Sequence, residues 1–192
     1  PVPYALARTD WPVVTTSWAE DAEGWTLGTS EVTVVVARDG GLRWRAGEAS
    51  LRDEPPPDRA GPIWVHHARL RPDERCFGTG LRAHPFDLRG TTCEMWNREP
   101  RGAYGAGDDP LYAGIPVYLG LHGDGSYLVF FENSWRATWS FQDDATARFE
   151  GGALRYYLIP GPPARAIDRY TEPTGRPGMP PRWALGFHQS RW

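Results

Sequence analysis

Apolar and polar side chains alternate with period two through most of this chain, restarting after each turn, and this most restricts how it can fold. Leu42, Trp44 and Ala46 alternate with Arg43 and Arg45 after the turn Arg38-Asp39-Gly40-Gly41, and Val32 to Val36 precedes it; together they predict a hairpin. Ile63 to Leu70 reads as a further strand. Ile115, Val117, Leu119 and Leu121 share one face, after which His122 to Ser126 turns the chain into Tyr127 to Phe131. Trp135, Ala137, Trp139 and Phe141 repeat the pattern against Arg136, Thr138 and Ser140. Ala145 to Phe149 and Ala153 to Ile159 flank Glu150-Gly151-Gly152, which reads as a third hairpin. Hairpins this closely spaced predict an all-β antiparallel fold, a sandwich or a barrel.

Helix is scarce. Pro163 suits a first helical position, and Ala164 to Thr171 makes two turns with Ile167 and Tyr170 on one face. The 22 glycines and 19 prolines are scattered among aromatic runs, as turns between strands require, and ten tryptophans supply a large apolar payload. A chain of 192 residues is long enough for one sizeable β domain or two small ones. A net charge of −3 with no basic tract speaks against nucleic acid as a partner. Cys76 and Cys93 do not make a disulfide framework and are expected as buried free thiols. With no secretory leader and no apolar run of membrane-spanning length, no membrane partner is expected and the cytoplasm is the expected compartment.

Leu81 to Gly114 stands apart: long, polar, rich in Gly and Pro, and carrying Trp96, Tyr104 and Tyr112. Its aromatic content favours an ordered, functional loop. Within it, Met95-Trp96-Asn97-Arg98-Glu99 combines an aromatic face with an amide, a guanidinium and a carboxylate. Sugar recognition asks for that mixture, because a ring covers the C–H face of a pyranose while planar polar groups read its hydroxyls. The same run also fits a plain loop anchor, with Trp96 buried and Arg98–Glu99 a solvated pair. His66 and His67 are adjacent on a strand and so point to opposite faces, which suits structural histidines. Asp108-Asp109 and Asp143-Asp144 lie among turn formers and read as turn chemistry. Gly78-Thr79-Gly80 lacks the strand–helix context of a phosphate loop. No nucleophile–base pair is visible, and no metal or cofactor is expected.

Taken in order, Phe77-Gly78-Thr79-Gly80, Leu88-Arg89-Gly90, Met95-Trp96-Asn97-Arg98-Glu99, Asp109-Pro110-Leu111-Tyr112 and Ile115-Pro116 resemble the N-terminal domain of glycoside hydrolase family 31, the α-glucosidases and α-xylosidases. Arg169 to Pro177 and Pro180 to Gln189 are similar to the connector into that family's catalytic barrel. The resemblance implies a galactose-mutarotase-like antiparallel β-sandwich at 1–160, a short helix and Pro-rich connector at 161–182, and the first strand of a (β/α)8 barrel at 183–192. It implies retaining hydrolysis of α-glycosidic bonds by two barrel carboxylates, neither of them here, so no catalytic residue is expected in this chain. It further implies that Trp96, Asn97, Arg98 and Glu99 reach over the barrel mouth and help form the sugar subsites. The family usually has Asp where Glu99 stands, so this carboxylate projects one methylene further. The expected partners are an α-linked oligosaccharide, met through the parent enzyme, and the barrel itself. The other function the sequence admits is a stand-alone carbohydrate-binding or scaffold module.

Overall fold

A computed structural model describes residues 5–189. The strands are β1 (Ser17–Glu20), β2 (Gly24–Gly28), β3 (Thr33–Ala37), β4 (Leu42–Ala46), β5 (Ala49–Glu54), β6 (Asp58–Ala60) and β7 (Ile63–Arg69), then β8 (Arg75–Gly80), β9 (Thr92–Met95), β10 (Gly114–His122), β11 (Gly125–Phe131), β12 (Ala137–Phe141), β13 (Asp144–Phe149) and β14 (Tyr156–Pro160). One helix, α1 (Pro163–Thr174), follows, then a single 3-10 turn at Arg182–Leu185. A ten-stranded sheet runs β1-β2-β3-β4-β5-β7-β13-β12-β9 with β6 added on β7, and a four-stranded sheet runs β14-β11-β10-β8. Every pairing is antiparallel. The expected all-β sandwich is what forms.

Alternation explains how the two sheets meet. From β12, Ala137, Trp139 and Phe141 point inward; from β13, Ala145, Ala147 and Phe149 do. They pack on Tyr127, Val129 and Phe131 of β11. Burying each of these phenylalanines contributes roughly 2–3 kcal/mol. The intervening β11 residues Leu128 and Phe130 are buried too, because α1 lies over the outer face of the small sheet with Ala166 against them. The rings of Phe130 and Tyr170 meet edge to face at 5.3 Å. A strand covered on both faces reads as an unbroken apolar run, as Tyr127 to Phe131 does.

This layering sorts the two rows of β10. The row Val117 and Leu119 belongs to the cluster under α1, whereas the opposite row, with buried Tyr118, Gly120 and His122, faces the large sheet. Tyr127 forces the glycine there: a Cβ on Gly120 would lie 2.3 Å from its Cζ. The hairpins at Arg38–Gly41 and His122–Ser126 form as expected, β3 pairing with β4 and β10 with β11. Glu150-Gly151-Gly152 does not close a hairpin. Both edges of β13 are occupied, by β12 and β7, so the chain crosses to the other sheet and β14 pairs with β11.

Gly78-Thr79-Gly80 is a bulge in β8, with φ of 124°, 66° and 96°. Here the β8–β10 register shifts, and a Cβ on Gly78 would lie 2.7 Å from the Val117 carbonyl oxygen. Helix α1 starts at Pro163 as expected and runs one turn beyond Thr171, ending where the Gly175 N–H donates to Thr171 O at 3.0 Å. From Trp183, expected as strand, the described residues make the 3-10 turn instead, with no neighbouring strand beside them to supply a ladder. Residues 190–192 of that expected strand lie outside the described residues. Among the described residues, no helix is long and apolar enough to cross a membrane.

Candidate functional site

Three segments pass from one sheet to the other at the same end of the sandwich. Residues 96–113 join β9 to β10, residues 132–136 join β11 to β12, and residues 150–155 join β13 to β14. Between them lies a cleft of about 680 Å³, within the size range of small-molecule sites. Its floor is core: Phe131, Trp139 and Phe149. Trp96 and Asn97 line it from the first crossover, Glu132 to Trp135 from the second, and Arg155 from the third.

Trp96 is 51% exposed and Trp135 is 57% exposed, so two large rings stand half out of the protein here. The reading of Trp96 as a buried anchor is thereby corrected. Asn97 is the anchor instead, its Oδ1 accepting the Gly114 N–H at 2.6 Å and tying the two ends of the first crossover together. Glu132 is nearly buried, at 3% side-chain exposure. Its Oε1 accepts from Arg155 Nη2 at 2.5 Å and its Oε2 from the Tyr157 hydroxyl at 2.8 Å. Desolvation and the Glu132 carboxylate both push the Tyr157 phenol up.

Arg98 and Glu99 do not line the cleft. The Arg98 backbone N–H donates to Leu111 O at 3.0 Å, and Glu99 Oε1 accepts the Arg101 N–H at 2.8 Å. Both side chains are exposed on the outer part of the loop, and no ion pair joins them among the described residues. Glu99 also lies near Tyr112, whose phenol is raised first by desolvation and then by that carboxylate.

The loop holds its shape through a pair that turn chemistry did not foresee. Asp108 Oδ2 does accept a local N–H, from Gly105 at 2.7 Å. Asp109 instead faces Arg82, their side chains 10% and 4% exposed, and its other oxygen accepts the Glu94 N–H. Arg82 also donates to Thr79 Oγ1 at 2.8 Å and to Glu94 O at 2.9 Å. One guanidinium thus joins the β8 bulge, β9 and the far end of the loop.

A second polar cluster is sealed inside the sandwich. Arg52 Nε donates to Glu54 Oε1 at 2.5 Å, and Nη1 reaches the hydroxyls of Tyr118 and, at 2.9 Å, Tyr127. Glu54 also accepts from Tyr156 and from Trp44 Nε1, and Tyr127 donates to Glu74. Burial pushes the Glu54 carboxyl up, but Arg52, His66 and Tyr156 outweigh it and hold it at about 2. Burial lowers His66, against the pull of Glu54. His66 is buried and His67 faces outward to Asp58 at 2.9 Å, opposite faces as expected. Arg52, Glu54, His66 and Glu74 are each at most 4% exposed, so no solute reaches them. Cys76 and Cys93 are buried and unpaired, and burial first of all pushes the Cys76 thiol up to about 12.

Among the described residues, Glu132 is the single carboxylate lining the cleft, and both its oxygens are engaged. Glycoside hydrolysis by acid and nucleophile uses two carboxylates. Trp135 and Glu132–Arg155 were missed by sequence reasoning. The available signal was Asn133-Ser134 just before Trp135, turn formers that take this residue out of the strand alternation.

Fold and cleft define a two-sheet antiparallel domain with two tryptophans at the mouth of a cleft. Residues 2–139 match the glycosyl hydrolase 31 N-terminal galactose mutarotase-like domain, and the chain belongs to that family. It is 38% identical over 120 residues to alpha-glucosidase 2 of Bacillus thermoamyloliquefaciens, covering 60% of this chain and 15% of that protein. Against alpha-xylosidase XylQ of Lactiplantibacillus pentosus it is 29% identical over 175 residues, 83% of this chain and 22% of the relative. A solved Flavobacterium johnsoniae GH31 dextranase, complexed with isomaltotriose, superposes with a TM-score of 0.84 at 26% identity, over 97% of this chain and 24% of that one. The chain thus spans less than a quarter of these relatives' length.

Proposed function

We propose that this chain is the non-catalytic N-terminal domain of an α-glycosidase, which packs on the catalytic barrel and lends its Trp96–Glu99 loop to the sugar subsites. The observation that carries this reading is the cleft at the crossover end: two half-exposed tryptophans and a single, fully engaged carboxylate. Such a surface can hold a sugar ring and cannot cleave one by the two-carboxylate route. Trp96 supplies an apolar wall of the cleft, while Arg98 and Glu99, exposed outside it, extend to hydroxyls of a sugar unit beyond the cleft. After α1 the chain carries Met179, Trp183, Leu185 and Phe187, each at least 71% exposed. Such a row suits burial against a further unit of the parent polypeptide, for which the greater length of the relatives leaves room. The substrate of the parent is an α-linked oligosaccharide.

The test is Trp96→Ala in the protein encoded by the whole reading frame that contains this chain. Loss of one stacked ring is expected to raise KM for maltotriose about two- to tenfold with kcat little changed. An unchanged KM would remove the loop from the subsites.

A further inference from the structure

We infer that Trp135, on the second crossover, is the opposing aromatic wall of the sugar site, so that a pyranose is held between Trp96 and Trp135. This rests on the cleft being a sugar site, as proposed above. Trp135 is built to present a ring. Its backbone N–H donates to Asn133 Oδ1 at 2.8 Å, and the same amide donates through Nδ2 to Gly151 O at 3.0 Å and Ala153 O at 3.2 Å. The indole lies against the third crossover: a Cβ on Gly151 would sit 2.7 Å from its Cε3, and one on Gly152 2.8 Å from its Cδ1. One side of the ring is therefore fixed on a glycine backbone, yet the residue remains 57% exposed and lines the cleft. A ring held this firmly loses little entropy when a ligand stacks on it.

The cleft chemistry favours a sugar over a protein surface. The site is concave, and beside the rings it offers the Arg155 guanidinium, 53% exposed, as a planar donor for vicinal hydroxyls. The exposed apolar row suited to protein contact, Met179 to Phe187, is not part of the cleft lining.

The experiment follows the assigned indole N–H signals of this chain by NMR as maltotriose is raised through the millimolar range, with sorbitol as an acyclic control. Trp96 and Trp135 are expected to shift together, linearly and without saturation, and neither to respond to sorbitol. Trp135→Ala should lower the Trp96 slope about two- to tenfold. Trp135→Phe should keep most of it, and Gly151→Ala, which displaces the ring without touching the ligand, should weaken it. A Trp96 shift with Trp135 silent overturns this inference and leaves the proposed function standing. Silence of both overturns the sugar reading of the cleft as well, and assigns the rings to contact with protein.

Discussion

His66 and Glu54 make the fold acid-sensitive at the scale of single residues. Both titrate below their ordinary values in the folded protein, 6.5 for His66 and 4.5 for Glu54. The unfolded chain therefore binds more protons whenever the pH falls below those values, and stability falls with it. His66 contributes the first loss, beginning near pH 6.5, and Glu54 the second, between about 4.5 and about 2. Urea midpoints measured from pH 8 to 4 should decline from near 6.5 downward. His66→Gln should flatten the upper part of that decline while leaving the lower part. A midpoint that rises on acidification would contradict the assignment. None of this was legible in the sequence. Ala49 to Glu54 reads as polar, and Arg52 is tolerated in the core because Tyr118 and Tyr127, 66 and 75 residues further on, bring their hydroxyls to it.

At the scale of elements, the strands and the tight turns were legible because alternation and Gly/Asp turn pairs are local physics. Sheet membership was not. Gly151-Gly152 has the composition of a hairpin turn, and only the occupation of both β13 edges sends the chain across the sandwich. The aromatic loop was visible as a loop, and its Trp96 and Asn97 do reach the cleft, while Arg98 and Glu99 lie outside it. Its fastening was hidden, since Arg82 and Asp109 are 27 residues apart and meet only when β8, β9 and the loop assemble. Asp109→Ala should leave Arg82 buried without its counter-ion, at a cost of about 3 kcal/mol in chemical denaturation. It should also open residues 97–108 to limited proteolysis. An unchanged urea midpoint with an intact loop would show that Asn97 and the backbone bonds suffice.

For the whole molecule, the proposed function separates holding from cutting. A two-sheet core carries three crossovers at one end, and these frame a cleft with aromatic walls and, among the described residues, one paired carboxylate and no acid–nucleophile couple. The most direct test is turnover of an aryl α-glucoside by this chain, purified to homogeneity, beside the protein encoded by its whole reading frame. The account predicts no hydrolysis by the chain and retaining hydrolysis by the longer protein. Turnover that stays with the chain through purification would contradict it.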